Sequence, residues 1–389
     1  PADTTQQSGM TPLAIRSSRS TNAVSRVHGD VARAMWQPMF PTRRVDEVPI
    51  THVTNGVHLP TWMATPMRRL LARHLGEAWE QRADDPAVWA AIDAIPDGEL
   101  WAVRNDLRTR LVDTVRERSV RDRLVRGEPI AYVEAAASTF DPGRLTIGFA
   151  RRLATYKRLH LLSVDPARAV RVLGDDLQFV FAGKAHPLDE EAKLVNKKLF
   201  ELKSEPGVSA HVVFLEDYDL SIAPSLVAGC DVWLNLPRPP YEASGTSGMK
   251  AALNGGLNVS TLDGWWVEAY DGTNGWAVDG DRAGATGRDE RDDAKGGVES
   301  AAVDAGGAVD GAGAANADTV RDRRDAAALF DVIEREVTPL FYERGGDGVP
   351  HGWVSRIKAA MRAIGPRFCA TRMMRDYEHR IYARGEPGA

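Results

Sequence analysis

The stretch LTIGFARRLATYKR at residues 145–158 joins a mostly apolar run of six residues to eight residues that carry four cations. A short apolar run bounded by turn residues is typical of a buried β-strand. Four further apolar runs follow it, separated by stretches of helical periodicity: Leu177–Ala182, His211–Leu215, Asp231–Leu236 and Leu257–Leu262. Strands that alternate with helices predict right-handed βαβ units, so we expect an α/β fold with a doubly wound parallel sheet.

Polar clusters follow the predicted strands, and this placement indicates a binding site. Ligands of an open parallel sheet bind beyond the carboxyl ends of its strands. The first strand is followed by the cationic residues 151–158, and the second by Gly183–Pro187. The third is followed by Glu216-Asp217-Tyr218, and the fourth, after a proline-rich bend, by residues 241–250. We therefore expect all four clusters to lie at one edge of the sheet.

Two of these clusters favour phosphate groups. Arg152 and Lys157 combine a guanidinium fork with a point charge at a strand-to-helix turn, which suits a dianion. Residues 244–248 alternate hydroxyl side chains with glycines at the start of a predicted helix, where backbone N–H groups can cradle a phosphate. The alternatives are a solvated basic helix face for the first cluster and a plain helix cap for the second.

Lys250 follows the second cluster by one helical turn. A lysine beside a phosphate cradle and walled by apolar residues can have a lowered pKa and form a Schiff base with an aldehyde cofactor. A solvated or ion-paired lysine is the alternative interpretation. Glu242 precedes the cradle and is a candidate for hydrogen bonds to a sugar or for proton transfer.

Composition excludes several classes of protein. Lys and Arg number 49 against 54 Asp and Glu, and the formal net charge of −5 predicts no general affinity for nucleic acid. Only Cys230 and Cys369 are present, too few for a disulfide framework or a cysteine zinc site, and no metal site is predicted. No apolar run predicts a membrane span and no signal peptide is recognisable, so we expect a cytoplasmic protein.

The order of segments divides the chain into regions of different composition. Residues 11–36 and 65–130 have helical periodicity, and the strands follow. Residues 279–320 consist mainly of Ala, Gly and Asp without an aromatic residue, which predicts a disordered insertion. Helical pattern resumes near Asp322 and continues in residues 352–364 and 367–383.

Four segments together resemble the glycogen/α-glucan phosphorylase family, in its bacterial and archaeal branch. EASGTSGMKAALNGG at 242–256 is similar to the family's pyridoxal-phosphate segment, and GFARRLATYKR at 148–158 to its phosphate-recognition segment. THVTNGVHLPTW at 51–62 and FLEDYDLSIA at 214–223 resemble two further segments near the cofactor and the glucose. The resemblance implies one GT-B-type C-terminal domain, a doubly wound α/β unit with helical remnants of a second domain.

The resemblance also implies a role for each matching residue. Lys250 would bond the aldehyde of pyridoxal 5′-phosphate, and five further residues would surround this cofactor: Arg151, Thr246, Ser247, Tyr218 and Trp62. The substrate phosphate would be held by Arg152 and Lys157. Five residues would contact the glucosyl unit: Asn55, Tyr156, Glu242, Ser244 and Gly245. The catalytic set would be Lys250, Arg152, Lys157 and Glu242.

The implied activity is reversible phosphorolysis of α-1,4-glucan to glucose 1-phosphate, with retention of configuration. Its partners would be the glucan, inorganic phosphate, glucose 1-phosphate and further copies of the chain in a homo-oligomer. Neither nucleic acid nor a membrane is expected as a partner. Family chains are roughly twice as long, so residues 1–50 would be the helical tail of an N-terminal domain, 51–350 the cofactor- and phosphate-binding domain, and 351–389 crossover helices. The chain alone would then be inactive. The alternatives are a nucleotide-sugar glycosyltransferase of the same fold, similar to glycogen synthase, and a non-catalytic glucan-binding fragment.

Overall fold

The computed structural model describes residues 9–281 and 311–383, except residue 175 and, within 185–207, all but residues 189, 193, 197 and 201. Its strands are β1 Thr21–Ala23, β2 Ile50–His52, β3 Leu145–Ala150, β4 Leu177–Ala182, β5 Val212–Leu215, β6 Val232–Asn235, β7 Leu257–Thr261 and β8 Gly275–Val278. The predicted α/β class is confirmed, and each of the five predicted strands is present with bounds shifted by one residue at most.

The central sheet has six parallel strands in the order β5-β4-β3-β6-β7-β8. The chain runs outward from β3 to β5, returns to the centre at β6, and then runs outward on the other side. This is a doubly wound sheet, and its topological switch point lies between β3 and β6. The carboxyl ends of these two strands are therefore the expected place for a ligand.

Helices cover both faces of the sheet and bury their apolar stripes against it. The α-helices of the described residues are Met10–Ser17, Arg26–Trp36, Leu59–Trp62, Thr65–Leu75, Pro86–Trp89, Asp97–Val125, Ile130–Ala137, Pro166–Val172, Ala223–Gly229, Ser247–Leu253, Trp266–Ala269, Gly311–Val332, Thr338–Tyr342, His351–Ile364 and Ala370–Tyr377. Short turns of 3₁₀-helix connect several of them, and π-helical turns follow at Ile333–Val337 and Glu378–Tyr382.

Two sequence predictions are wrong in part. The helix predicted over 11–36 is interrupted by β1, which pairs with β2, and Ser25 then caps a second helix by accepting the N–H of His28 at 3.1 Å. The helix Gly311–Val332 begins inside the segment 279–320, so the prediction of disorder is wrong for residues 311–320. Residues 282–310 of that segment lie outside the described residues. So do residues 1–8 of the predicted segment 1–50 and residues 384–389 of the predicted segment 351–389.

A buried arginine ties the long helix Asp97–Val125 to the sheet. Arg104 is fully buried and donates hydrogen bonds to the carbonyls of Ala228, Cys230 and Asn254, at 2.5, 2.9 and 2.7 Å. Its charge is balanced by the buried Asp231, 3.3 Å away, at the start of β6. These contacts hold the helix against the amino end of β6, opposite the edge at which a ligand would bind.

None of the helices in the described part of the chain combines the length and the apolar character needed to cross a membrane. The division at residues 50 and 350 stays a prediction.

Candidate active site

Arg151 joins the ends of the two strands at the switch point. It directly follows β3, and its Nη1 donates to Oδ1 of Asn235, the last residue of β6. The same Nη1 lies 3.1 Å from Oε2 of Glu242. The polar residues that follow β3 and β6 therefore meet at one edge of the sheet, as the sequence predicted.

Glu242 and Lys157 form a buried ion pair beside Arg151. The Lys157 ammonium donates to Oε2 of Glu242, and both side chains are 8% exposed. Burial and the neighbouring charge of Arg151 lower the pKa of Lys157 to about 8, although Glu242 acts in the opposite direction. The Lys157 ammonium also lies 4.4 Å from the ring centroid of Tyr156. Two cations thus converge on one carboxylate, and all three side chains are largely buried.

An open cavity of about 410 Å³ lies at this edge of the sheet. Eight residues that were predicted for the site line it: Asn55, Arg151, Tyr218, Glu242, Ser244, Gly245, Thr246 and Ser247. Burial raises the pKa of the Tyr218 hydroxyl, so this side chain is a neutral donor at ordinary pH. Arg152 is exposed and lies outside the lining. Of the cluster Gly183–Pro187, residues 185–187 lie outside the described residues.

Lys250 lies one helical turn beyond the cavity wall. Its N–H donates to the carbonyl of Thr246 at 3.3 Å, and its Nζ lies 3.4 Å from the ring centroid of Trp62. Burial lowers the pKa of Lys250. A lowered pKa increases the fraction of the neutral amine, which is the form that attacks an aldehyde.

Asn254 positions Trp62 against Lys250. Asn254 ends the helix Ser247–Leu253, which carries Lys250. Its side chain donates to the carbonyl of Trp62 at 2.8 Å and accepts the N–H of Ala64 at 2.7 Å. One short helix thus carries the amine and, through the residue at its end, holds the backbone on either side of the ring.

The cavity wall contains polar atoms that a ligand could satisfy. Arg151 Nε and Ser244 Oγ are buried and have no hydrogen-bond partner among the described residues. A buried polar atom without a partner is uncommon because it has lost its hydration. Gly245 adopts φ +85° between these groups, a conformation that most residues avoid. A phosphate-bearing cofactor with an aldehyde fits this donor set, since cation, hydroxyl groups and amine are all present.

Asp263 is a residue of the site that the sequence did not predict. It is 1% exposed, and its two oxygens accept the N–H groups of Glu242 and Gly264, each at 2.8 Å. Burial raises the pKa of Asp263 to about 6. Asp263 thereby holds the backbone of Glu242 from β7. Its position just after a predicted strand was the available signal.

The fourth cation of the octet of residues 151–158 has a structural role. Arg158 is fully buried and donates to the carbonyls of Leu236 and Pro237, each at 3.0 Å. Its guanidinium pairs with Asp322 at 3.1 Å and Asp325 at 2.5 Å. Arg158 therefore holds the proline-rich bend in place behind the site.

The family model for carbohydrate phosphorylases matches residues 2–275 of the chain. The chain belongs to the carbohydrate phosphorylase family. The match covers every strand of the sheet but the last three residues of β8, and it includes all residues of the cavity wall. The resemblance found in the sequence is thereby confirmed.

Named relatives of this phosphorylase family come from bacteria and archaea. Glycogen phosphorylase of Aquifex aeolicus is 38% identical over 99% of the chain and 51% of its own length. Glycogen phosphorylase of Mycobacterium tuberculosis is 41% identical over 96% of the chain and 40% of its own length. Maltodextrin phosphorylase of Thermococcus litoralis is 35% identical over 97% of the chain and 41% of its own length. The chain thus spans about half, or less, of the length of these relatives.

Proposed function

We propose that this chain supplies the cofactor- and phosphate-binding part of an α-1,4-glucan phosphorylase. The reaction would be the reversible phosphorolysis of glycogen or maltodextrin to glucose 1-phosphate with retention of configuration. One observation carries the proposal: Arg151, Glu242 and the hydroxyl-rich loop 244–247 line one cavity at the switch point, one helical turn from the half-buried Lys250. The names of the relatives indicate the substrate class.

The cofactor would be pyridoxal 5′-phosphate. Lys250 would hold its aldehyde, Trp62 would cover it, and the orphaned Nε of Arg151 with the hydroxyl groups of Thr246 and Ser247 would bind its phosphate. When bound, this cofactor supplies a phosphate group that takes part in proton transfer to and from the substrate phosphate. The lowered pKa of Lys250 and the unpaired donors of the wall support this assignment.

The substrate groups would bind beside the cofactor, at the same edge of the sheet. Arg152 and Lys157 would hold the substrate phosphate, because a guanidinium and an ammonium stabilise a dianion through charge-assisted hydrogen bonds. Five groups would contact the glucosyl unit: Asn55, Tyr156, Glu242, Ser244 and Gly245. The unpaired Ser244 Oγ and the carboxylate of Glu242 offer a donor and an acceptor for sugar hydroxyls.

Phosphorolysis breaks the bond between the glucosyl C1 and the oxygen of the next sugar, which takes up a proton, and forms a bond from C1 to a phosphate oxygen. Positive charge develops on the sugar while two phosphates lie close together. Fixed cations stabilise the two adjacent phosphates without reorganising during the step. Arg151, Arg152 and Lys157 would supply these cations. Glu242, held by Asp263, would keep the sugar oriented.

We also propose that residues 1–389 alone have little activity. The resemblance implies a second domain that closes over the cavity, and water that reaches the cations weakens their electrostatic effect. The cytoplasmic location and a homo-oligomer stay predictions of the sequence.

Covalent labelling of Lys250 tests the proposal. Protein loaded with pyridoxal phosphate is reduced with borohydride, digested and mapped; we expect the label on the peptide that contains Met249 and Lys250. K250A should abolish the label, whereas K184R should retain it, because Lys184 is exposed and pairs with Asp217 at 3.0 Å. A label elsewhere, or none, would overturn the proposal and favour a nucleotide-sugar glycosyltransferase, which needs no aldehyde cofactor.

A further inference from the structure

We propose that Arg372, on the C-terminal helix Ala370–Tyr377, is a positioning residue for Asn55. Arg372 binds the backbone carbonyl of Asn55 and so determines where the Asn55 side chain stands in the cavity wall. The inference rests on the proposed function, because it assigns a role in binding the glucosyl unit to a helix that does not line the cavity.

The guanidinium of Arg372 is directed by three acceptors. Its Nη2 donates to the carbonyl of Asn55 at 3.1 Å, its Nε to the carbonyl of Arg367 at 2.6 Å, and its Nη1 to Oδ2 of Asp376 at 3.0 Å. The planar fork cannot turn toward one acceptor without losing another, so its orientation is well defined. Two acceptors belong to residues 367–376 (the C-terminal segment), and the third, Asn55, belongs to the candidate site.

The peptide groups that follow Asn55 also bind the C-terminal segment. The N–H of Gly56 lies 3.3 Å from Sδ of Met373. The N–H of Val57 donates to the carbonyl of Phe368 at 2.8 Å, and its carbonyl accepts the N–H of Ala370 at 2.9 Å. Residues 55–57 and the C-terminal segment therefore form one hydrogen-bonded unit, in which Arg372 supplies the contact nearest to the cavity.

The two segments are packed without spare room. A Cβ atom on Gly56 would lie 2.3 Å from the carbonyl oxygen of Cys369, far inside contact distance. Backbone in such contact moves together, since neither segment can shift alone by a few tenths of an ångström without a clash or a gap. A small movement of the helix start is thereby transmitted to the peptide of Asn55.

The turn formed by residues 54–57 keeps other hydrogen bonds when Arg372 is removed. The N–H of Asn55 donates to the carbonyl of Val24 at 3.0 Å. Thr54 donates through Oγ1 to both carboxylate oxygens of Glu268, at 3.0 and 2.9 Å. We therefore expect Arg372→Ala to leave the fold intact and to release only the carbonyl side of Asn55. Loss of one contact that orients a binding group is a local effect on the site.

The test compares R372A with the control R380A in the cofactor-loaded protein that contains this chain. Arg380 is 52% exposed along its side chain, lies 3.8 Å from Asp376, and makes no hydrogen bond to residues 55–57. We expect R372A to reduce kcat/KM for glucose 1-phosphate by about 10- to 100-fold, as for a misplacement of the order of 1 Å in a site. R380A should leave it unchanged, and R372K should give an intermediate value.

A double-mutant cycle with Asn55→Ala separates positioning from general weakening. If Arg372 acts through Asn55, R372A should have no further effect in the N55A background. Amide hydrogen exchange of the peptide that covers residues 54–57 should be faster in R372A and unchanged in R380A. An equal loss in both backgrounds, or a wild-type kcat/KM in R372A, would overturn the inference; if R372A does not fold, a wild-type value in R372K overturns it. A wild-type protein that does not convert glucose 1-phosphate would instead refute the proposed function, and the exchange measurement would still decide the role of Arg372.

Discussion

The ammonium of Lys157 donates to the carboxylate of Glu242, so the residue assigned to the substrate phosphate and the residue assigned to the sugar are bound to each other. Both are buried, and Glu242 is also 3.1 Å from Arg151. If Lys157 binds the substrate phosphate as proposed, that phosphate shares the ammonium with Glu242. Burying either the ammonium or the carboxylate without its partner would cost free energy, and the ion pair reduces this cost.

The first prediction concerns the pH dependence of phosphate use. Lys157 binds a dianion only when protonated, and burial with the charge of Arg151 lowers its pKa to about 8. The protonated fraction falls as the pH rises through this value. Since kcat/KM reports groups of the free enzyme, we expect kcat/KM for phosphate to decline above about pH 8.

Two variants identify the group that is responsible. Lys157→Arg keeps its charge at all accessible pH values, so the alkaline decline should disappear even if the level of activity is lower. Glu242→Gln removes the interactions that raise the pKa of Lys157, so the decline should begin at lower pH. A decline that is the same in K157R and the wild type would assign it to another group.

The second prediction separates the two adjacent arginines. Arg151 contacts Asn235 and Glu242 and lines the cavity with Thr246 and Ser247, whereas Arg152 is exposed. We expect R151A to lose bound cofactor during gel filtration, which is measured by the cofactor absorbance that co-elutes with the protein. R152A should retain the cofactor. Its kcat/KM for phosphate should fall by an amount equivalent to about 2–4 kcal/mol of transition-state stabilisation, the cost of removing a contact to developing charge. Equal loss of cofactor from both variants would contradict this division.

The sequence predicted the sheet because fully buried parallel strands are nearly continuous apolar runs. β3 and β4, buried at every position, were recognised on this basis. β8 was not, because its four residues begin with Gly275 and leave an apolar run of only three. β1 was hidden in an apparently helical stretch, since its three residues form a strand only by pairing with β2.

The candidate site was predictable only where its residues cluster along the chain. The loop after β3 and the loop 242–250 were each visible as motifs, and the structure brings them together. The pairings between their side chains were not visible: Lys157 and Glu242 are 85 positions apart, and Arg158 and Asp322 are 164 apart. Arg151 and Arg158 belong to one cationic octet, yet only tertiary contacts send one to the cavity and the other to a buried ion pair.

The third prediction tests the contact between the turn 55–57 and the C-terminal segment. Gly56→Ala places a methyl group 2.3 Å from the carbonyl oxygen of Cys369, and neither backbone can yield easily. Overpacking of this kind costs about 1–3 kcal/mol, and we expect this decrease in the free energy of unfolding from urea denaturation. Gly346→Ala is the control, because a Cβ there meets no atom within 4 Å. Equal stabilities of the two variants would show that the turn and the segment separate readily.

The fourth prediction concerns the buried cluster around Asp322. This carboxylate accepts from Arg158 Nη1 at 3.1 Å, His160 Nε2 at 2.8 Å and Arg238 Nη2 at 2.8 Å. Asp322→Ala leaves the fully buried Arg158 with Asp325 as its remaining carboxylate. We expect the free energy of unfolding to fall by about 3 kcal/mol, the lower end of the cost of breaking a buried pair. Asp318→Ala is the control: Asp318 pairs with Arg238 at 2.7 Å but is 59% exposed, and such a pair contributes less than about 1 kcal/mol.

The pH dependence of this difference follows from the direction of the shift. Burial alone would raise the pKa of Asp322, but the hydrogen bonds from His160 and Arg158 outweigh burial, and the net effect lowers the pKa below its ordinary value of 3.8. A carboxyl group whose pKa is lower in the folded state stabilises the fold above its unfolded pKa, and this contribution is lost as the pH falls through the folded pKa. The gap in stability between D322A and the wild type should therefore be complete at neutral pH and shrink only below 3.8. A gap that closes well above pH 3.8 would contradict the lowered pKa of Asp322.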